Sequence, residues 1–130
     1  MDDDTTVDRV ETSRHVSVWI DTTPDVVYAF ASDPAQLPRW AAGLANPALA
    51  DADVEFAPPN EFGVLDHVVR LPSGEEVYNP MRVIPAGGDE ARCEVVFTLR
   101  RRAGVSDAEF EADAAAVAAD LETLRELVAG

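Results

Sequence analysis

The sequence predicts an α+β protein in which one strand, two short helices and a run of antiparallel strands precede a long amphipathic helix. Three observations carry this prediction. Apolar residues alternate strictly at Val16, Val18 and Ile20, and again at Cys93, Val95, Phe97 and Leu99, the period of a half-buried strand. Between them, two strand-like runs flank Pro72-Ser73-Gly74, which reads as a hairpin turn. Near the C-terminus, Phe110, Ala114, Val117, Leu121, Leu124 and Val128 recur at steps of four and three, the stripe of a helix lying on a core.

Taken in order, residues 1–13 are polar and acidic and read as a loose tail, so the single domain spans residues 14–130. His15 to Ile20 form the first strand, with the aliphatic face inward. Thr22-Thr23-Pro24-Asp25 supplies a hydroxyl cap, a proline suited to the first helical position and an early carboxylate, so a helix begins there. Val26, Val27 and Phe30 are its expected buried side. Asp33-Pro34 ends it, and a second short helix runs through Leu37 before Pro38 and Trp40 turn the chain.

Residues 41–61 are rich in Ala, Asn, Pro and Asp, and only Val54 and Phe56 alternate, so at most one short strand fits. A strand from Phe62 to Leu71 and a second from Val77 to Ile84 make the hairpin. Pro80 lies inside the second and cannot donate a ladder hydrogen bond, which implies an edge or a bulge. After the turn at 85–89 comes the strand through Cys93 and Phe97. Ser106-Asp107-Ala108-Glu109 has the spacing of a capping box, which opens the terminal helix, and Gly130 sits where it would stop.

Composition bounds the task. The 130 residues carry a net charge of −15, and all 10 basic residues are Arg. Such a balance repels phosphate backbones and anionic membranes, so neither nucleic acid nor a membrane is an expected partner. Val, Ile, Leu and Phe make up about a quarter of the chain, enough for one folded domain. No apolar run approaches the roughly 18 residues that span a bilayer, and the acidic N-terminus is unlike a secretory signal, so a cytoplasmic location is expected. The single Cys and 2 His leave no disulfide and no ligand spacing for a metal, and no cofactor is expected. Lys-free acidity fits either a GC-rich coding genome or adaptation to salt.

The stretch from Val16 to Trp40 (VSVWIDTTPDVVYAFASDPAQLPRW) resembles the first strand, Pro-initiated helix and Asp-Pro break of the START/Bet v 1-like superfamily, also called SRPBCC, within it the polyketide cyclase/dehydrase-like group. Phe62 to His67 (FGVLDH), Asn79 to Val83 (NPMRV) and the Phe97-Thr-Leu strand leading into the capped helix extend the resemblance over about residues 15–130. It implies a helix-grip fold, a curved antiparallel sheet wrapped around the C-terminal helix, with a cavity between them for an apolar small molecule. Relatives have a further hairpin where residues 41–61 leave little room. The middle hairpin is thus shortened here, and an uncovered sheet edge makes a homodimer a reasonable expectation.

Within that fold, residues expected to line the cavity are Phe30 and Trp40 from the short helices, His67 and Val69 from the first hairpin strand, and Asn79 and Met81 from the second. Cys93, Val95 and Phe97 follow from the next strand, and Phe110, Ala114, Val117 and Leu121 from the helix. His67 is the one candidate for acid–base work, though a buried histidine is more often a core residue satisfied by backbone. Asp66, its neighbour on the strand, points to the opposite face. Asn79 is either a second polar group of the pocket or a partner for the bulge at Pro80. Cys93 reads as a small buried hydrophobe with no base to activate it. Tyr28 and Trp40 read as packing anchors or as residues of the cavity mouth, and Arg100 to Arg102 as a solvated strand end. The run of alanines from Ala112 to Ala119 implies open volume over the sheet or mere helix propensity. The expected function is binding of an apolar or aromatic small molecule. A cyclase or dehydratase with His67 as acid/base, and a protein-interaction module with a filled core, are the alternatives.

Overall fold

Strand β1 (Ser13–Ile20) lies antiparallel to the last strand of the chain, β6 (Cys93–Arg100), with Val16 opposite Phe97 and Ile20 opposite Cys93. The computed structural model describes residues 12–41 and 53–129. The strand begins two residues before the alternating run, because Ser13 and Arg14 also pair with β6. Residues 1–11 of the expected tail lie outside the described residues.

Helix α1 (Pro24–Ala31) starts as its sequence requires. The Thr23 hydroxyl accepts from the Val26 amide at 3.3 Å, and Pro24 occupies the first turn. Its buried side differs from expectation. Val27 and Ala31 are buried and Phe30 is half-buried, while Val26 faces solvent, since the helix is rotated to set Val27 and Ala31, one turn apart, on the sheet. A 3-10 turn over Pro34–Gln36, capped by the Asp33 carboxylate, leads into α2 (Leu37–Trp40). Pro38 does not turn the chain away. It sits in the first turn of α2, where its missing N–H costs nothing.

Two three-stranded antiparallel sheets follow, in the orders β1-β6-β5 and β2-β3-β4, where β2 is Asp53–Phe56, β3 His67–Arg70, β4 Glu76–Asn79 and β5 Met81–Pro85. The expected strand from Val77 to Ile84 is therefore two strands, and Pro80 is the point at which the chain passes from one sheet to the other. The expected strand from Phe62 to Leu71 divides likewise. Val64 bridges Arg82 of β5, and only from His67 does the chain pair with β2 and β4. Both breaks have one cause: a proline that cannot donate forces a bend, and the facing strand bends with it. The result is the curvature that a sheet needs to wrap a helix.

That helix, α3 (Asp107–Ala129), is opened by the capping box. Ser106 and Glu109 exchange bonds, with the Glu109 amide donating to the Ser106 hydroxyl at 3.1 Å and the Ser106 amide donating to the Glu109 carboxylate at 2.9 Å. Phe110, Ala114, Leu121 and Leu124 are buried, and Val117 and Val128 half-buried. Ala112, Ala115, Ala116 and Ala119 are exposed, so most of the alanine run reflects helix propensity on a solvated face. The architecture is a helix-grip-like α+β fold. No helix among the described residues is long and apolar enough to cross a membrane, and no group of three or more His, Cys, Asp or Glu converges among them as a metal site would need.

Candidate functional site

Between the bent sheets and α3 lies a cleft of about 290 Å³. The inner face of β3 brings His67 and Val69 to it, and antiparallel register sets Asn79 opposite His67 and Val77 opposite Val69. Strand β6 adds Phe97 and Leu99, α2 adds Leu37 and Trp40, and α3 adds Ala116, Val117 and Leu121. Its charged lining residues are Arg100, Arg102 and Asp113, which are exposed and mark the solvent side, and Asp120 of α3, which is half-buried. Arg102 there is paired with Glu75 at 2.8 Å.

His67 is 6% exposed and held between two rings, with Phe56 at 5.2 Å and Phe97 at 5.8 Å between centroids. Its Nδ1 lies 3.0 Å from the Leu65 carbonyl oxygen. A carbonyl only accepts, so Nδ1 carries the proton and Nε2 keeps its lone pair. Burial among apolar groups pushes the imidazole below its ordinary pKa, against the opposing pull of the Leu65 carbonyl and the Asp66 charge, and holds the ring neutral. Nε2 has one long contact, the Asn79 side-chain amide at 3.4 Å. The backbone satisfaction of Nδ1 and the orientation of Nε2 toward a polar neighbour therefore coexist in one residue.

Asp66 does face away from the cleft, but it is not solvated. It is 6% exposed. Arg82 grips it with Nε on Oδ1 at 2.9 Å and Nη2 on Oδ2 at 2.8 Å, Tyr78 donates its hydroxyl at 2.6 Å, and the Met81 amide donates at 2.9 Å. These donors hold the carboxyl far below the usual carboxylate range, the Arg82 bonds most of all. Asp66 thus supplies the acceptor that the bend at Pro80 removes from the ladder, a role for which Asn79 was one candidate. Sequence reasoning also missed Asn60. Its side chain accepts from the Phe62 and Val64 amides and donates to the Val64 carbonyl, while its own amide donates to the Tyr28 hydroxyl at 3.1 Å. Asn-x-x-Gly at 60–63 was the available signal for that turn.

Of the expected lining, Trp40, His67, Val69, Asn79, Phe97, Val117 and Leu121 come together around the cleft. Phe30, Met81, Cys93, Val95, Phe110 and Ala114 do not line it. Met81, Cys93 and Val95 are wholly buried in the core, because the bend at Pro80 takes β5 into the other sheet, where it packs against α1 and pairs with this end of β6. Burial also raises the Cys93 thiol pKa, which keeps it protonated and unreactive. Phe30 lies under Arg39, and Phe110 under Arg14 and Arg101. Ala114 is buried on α3 between the lining residues Asp113 and Ala116 and is not itself part of the lining. Tyr28 is an anchor for the 57–64 loop. Trp40 is both things expected of it, 3% exposed in the core and a wall of the cleft.

No known family's sequence profile matches the chain, and no curated protein matches it. Solved structures do. The protein XoxI from Bacillus cereus superposes with a TM-score of 0.54 at 14% identity, covering 90% of this chain and 95% of that one. An uncharacterized protein from Bacillus thuringiensis superposes with a TM-score of 0.53 at 14% identity, over 90% of this chain and 98% of that one. The ZhuI aromatase/cyclase from a Streptomyces species is more remote, with a TM-score of 0.46 at 15% identity over 92% of this chain and 94% of that one, too low to bear on activity. At such identities the likeness is one of fold, and what the molecule does has to be read from the cleft itself.

Proposed function

We propose that the protein binds an apolar or aromatic small molecule in the cleft between the bent sheets and α3. One observation carries this reading: open volume with mainly apolar walls persists where helix and sheet would otherwise close a core. At about 290 Å³ the cleft is at the small end of ligand sites, which combine apolar walls with a few placed polar groups, so a compact ligand of one or two rings fits best. The same opening argues against a filled interaction module. Binding is favoured over turnover because the side chain that meets His67 Nε2 is the Asn79 amide, while the carboxylate next to it in the chain, Asp66, is turned to the other side and committed to Arg82 and Tyr78. A reaction needs groups converging on one reacting atom.

Native and denaturing mass spectra of purified protein test the proposal, together with titration of naphthalene as an apolar probe. A co-purified small molecule, or saturable naphthalene binding that Val117→Trp abolishes without lowering Tm, is the expected result. Failure of naphthalene to bind, with no co-purified species, would remove the reading.

A further inference from the structure

One side-chain amide on the cleft wall is turned by its neighbour, and the way it is turned sets what the wall offers. Asn79 and Val77 lie on the inner face of β4 and line the cleft, while Tyr78 between them points to the opposite face and bonds Asp66. Asn79 is half-buried, so the open side of its side chain is the cleft. Its Nδ2 lies 3.4 Å from Nε2 of His67, the residue directly across the strand pair. The Leu65 carbonyl keeps the His67 proton on Nδ1, so Nε2 presents a lone pair. A lone pair attracts an N–H and repels an oxygen even at this length, and neighbours of this kind are what tell the two ends of an amide apart. The Asn79 nitrogen therefore faces the histidine and Oδ1 faces away from it. Among the described residues nothing donates to that oxygen, and the buried side-chain polar atom left without a partner there is Trp40 Nε1, not Asn79 Oδ1.

We propose that His67 orients Asn79 so that the cleft offers its ligand the Asn79 side-chain oxygen, and that the bound molecule is a ring compound bearing a hydrogen-bond donor, a phenol or an alcohol. The proposal rests on the cleft being a ligand site. Asn79 is the residue that touches the ligand, and His67 is a positioning residue that acts through the proton Nε2 lacks. An amide free to turn offers its oxygen and its NH2 alike and discriminates little. An amide held by an acceptor offers the oxygen and selects donors. A ligand ether or carbonyl in the same place would meet oxygen lone pairs and lose its hydration without a bond in return. Asp120, on the α3 side of the cleft, is another acceptor on the wall, and substitution separates the two.

A naphthol and the methylnaphthalene substituted at the same carbon, in both positional isomers, test the proposal, with naphthalene as the probe of the site itself. The readout is the ratio of the two dissociation constants, in which the contribution of the rings cancels. In at least one isomer pair Asn79→Leu is expected to shift that ratio against naphthol about three- to tenfold, and His67→Phe to do the same, with naphthalene binding kept in both. Asn79→Asp carries oxygen at both ends and needs no orienting. It is expected to restore the naphthol preference when combined with His67→Phe, a rescue that a merely structural role of His67 would not allow. Where the variants fold poorly, the unsubstituted protein decides: naphthol must move the Asn79 side-chain carbonyl carbon downfield, as a donated hydrogen bond does, and methylnaphthalene must not. A ratio that ignores Asn79→Leu in both isomer pairs, a ratio that Asp120→Ala shifts in its place, or an unmoved carbonyl carbon overturns the proposal and leaves the binding site standing. Failure of naphthalene, methylnaphthalene and naphthol alike to bind overturns the site as well.

Discussion

Two adjacent residues, Asp66 and His67, show how one strand position apart can mean opposite fates. Both are buried, yet one is charged and fully bonded and the other neutral and half-used. Removing the Asp66 side chain leaves the Met81 amide and the Arg82 guanidinium without their acceptor, so Asp66→Ala is expected to cost about 3 kcal/mol, read from urea denaturation. For His67 the folded pKa lies below the unfolded value of about 6.5. Below that value the unfolded chain takes up a proton that the folded one refuses, so the unfolded state binds more protons and stability falls as pH drops. The loss begins near pH 6.5 and continues down to the folded pKa. His67→Leu is expected to flatten that part of the Tm profile between pH 7 and pH 5 relative to the unsubstituted protein, and parallel profiles would show that His67 is not buried neutral.

Elements are decided by their ends and breaks. The capping box of α3 satisfies two free amides with Ser106 and Glu109, and Ser106→Ala is expected to lower stability by about 1 kcal/mol, measurable as a lowered denaturation midpoint. Gly63 lies at φ +73°, and a Cβ there would meet the Val83 carbonyl oxygen at 2.2 Å, at the point where the chain enters its bridge to β5. Gly63→Ala is expected to cost more than about 1 kcal/mol, with loss of thermal stability as the readout. At Pro80, the pyrrolidine ring turns one expected strand into β4 and β5, and Asp66 repairs the ladder there. A long-range carboxylate does the local work, so no pattern within residues 77–84 could announce it.

For the whole molecule, charge is the dominant surface property. The net charge of −15 is an excess that pairing does not remove, since 25 Asp and Glu face only 10 Arg. Self-repulsion opposes compaction and is screened by salt. Tm is therefore expected to rise between low salt and about 0.5 M NaCl, where the Debye length falls well below 10 Å, and an unchanged Tm would show that the carboxylates are too widely spaced to repel. The cleft is also a property of the whole: its walls come from both sheets, which part at Pro80, and from α2 and α3, and no single element encloses it.

The α+β order, the caps of α1 and α3, the inward faces of β1 and β6 and the pairing of His67 with Asn79 were determined by the sequence itself, because periodicity, capping chemistry and hairpin register act between residues near in the chain or related by a fixed step. The tertiary structure alone decided which inward residues meet open space. Met81, Cys93 and Val95 obey the same alternation as His67 and Phe97, and only the bend, set by a proline and secured by an aspartate 14 residues away, sends one group into the core and the other to the cleft. The unpaired indole of Trp40 belongs to the same class of fact. A donor's lack of a partner is a statement about all of its neighbours in space, and those are assembled only when the chain has folded.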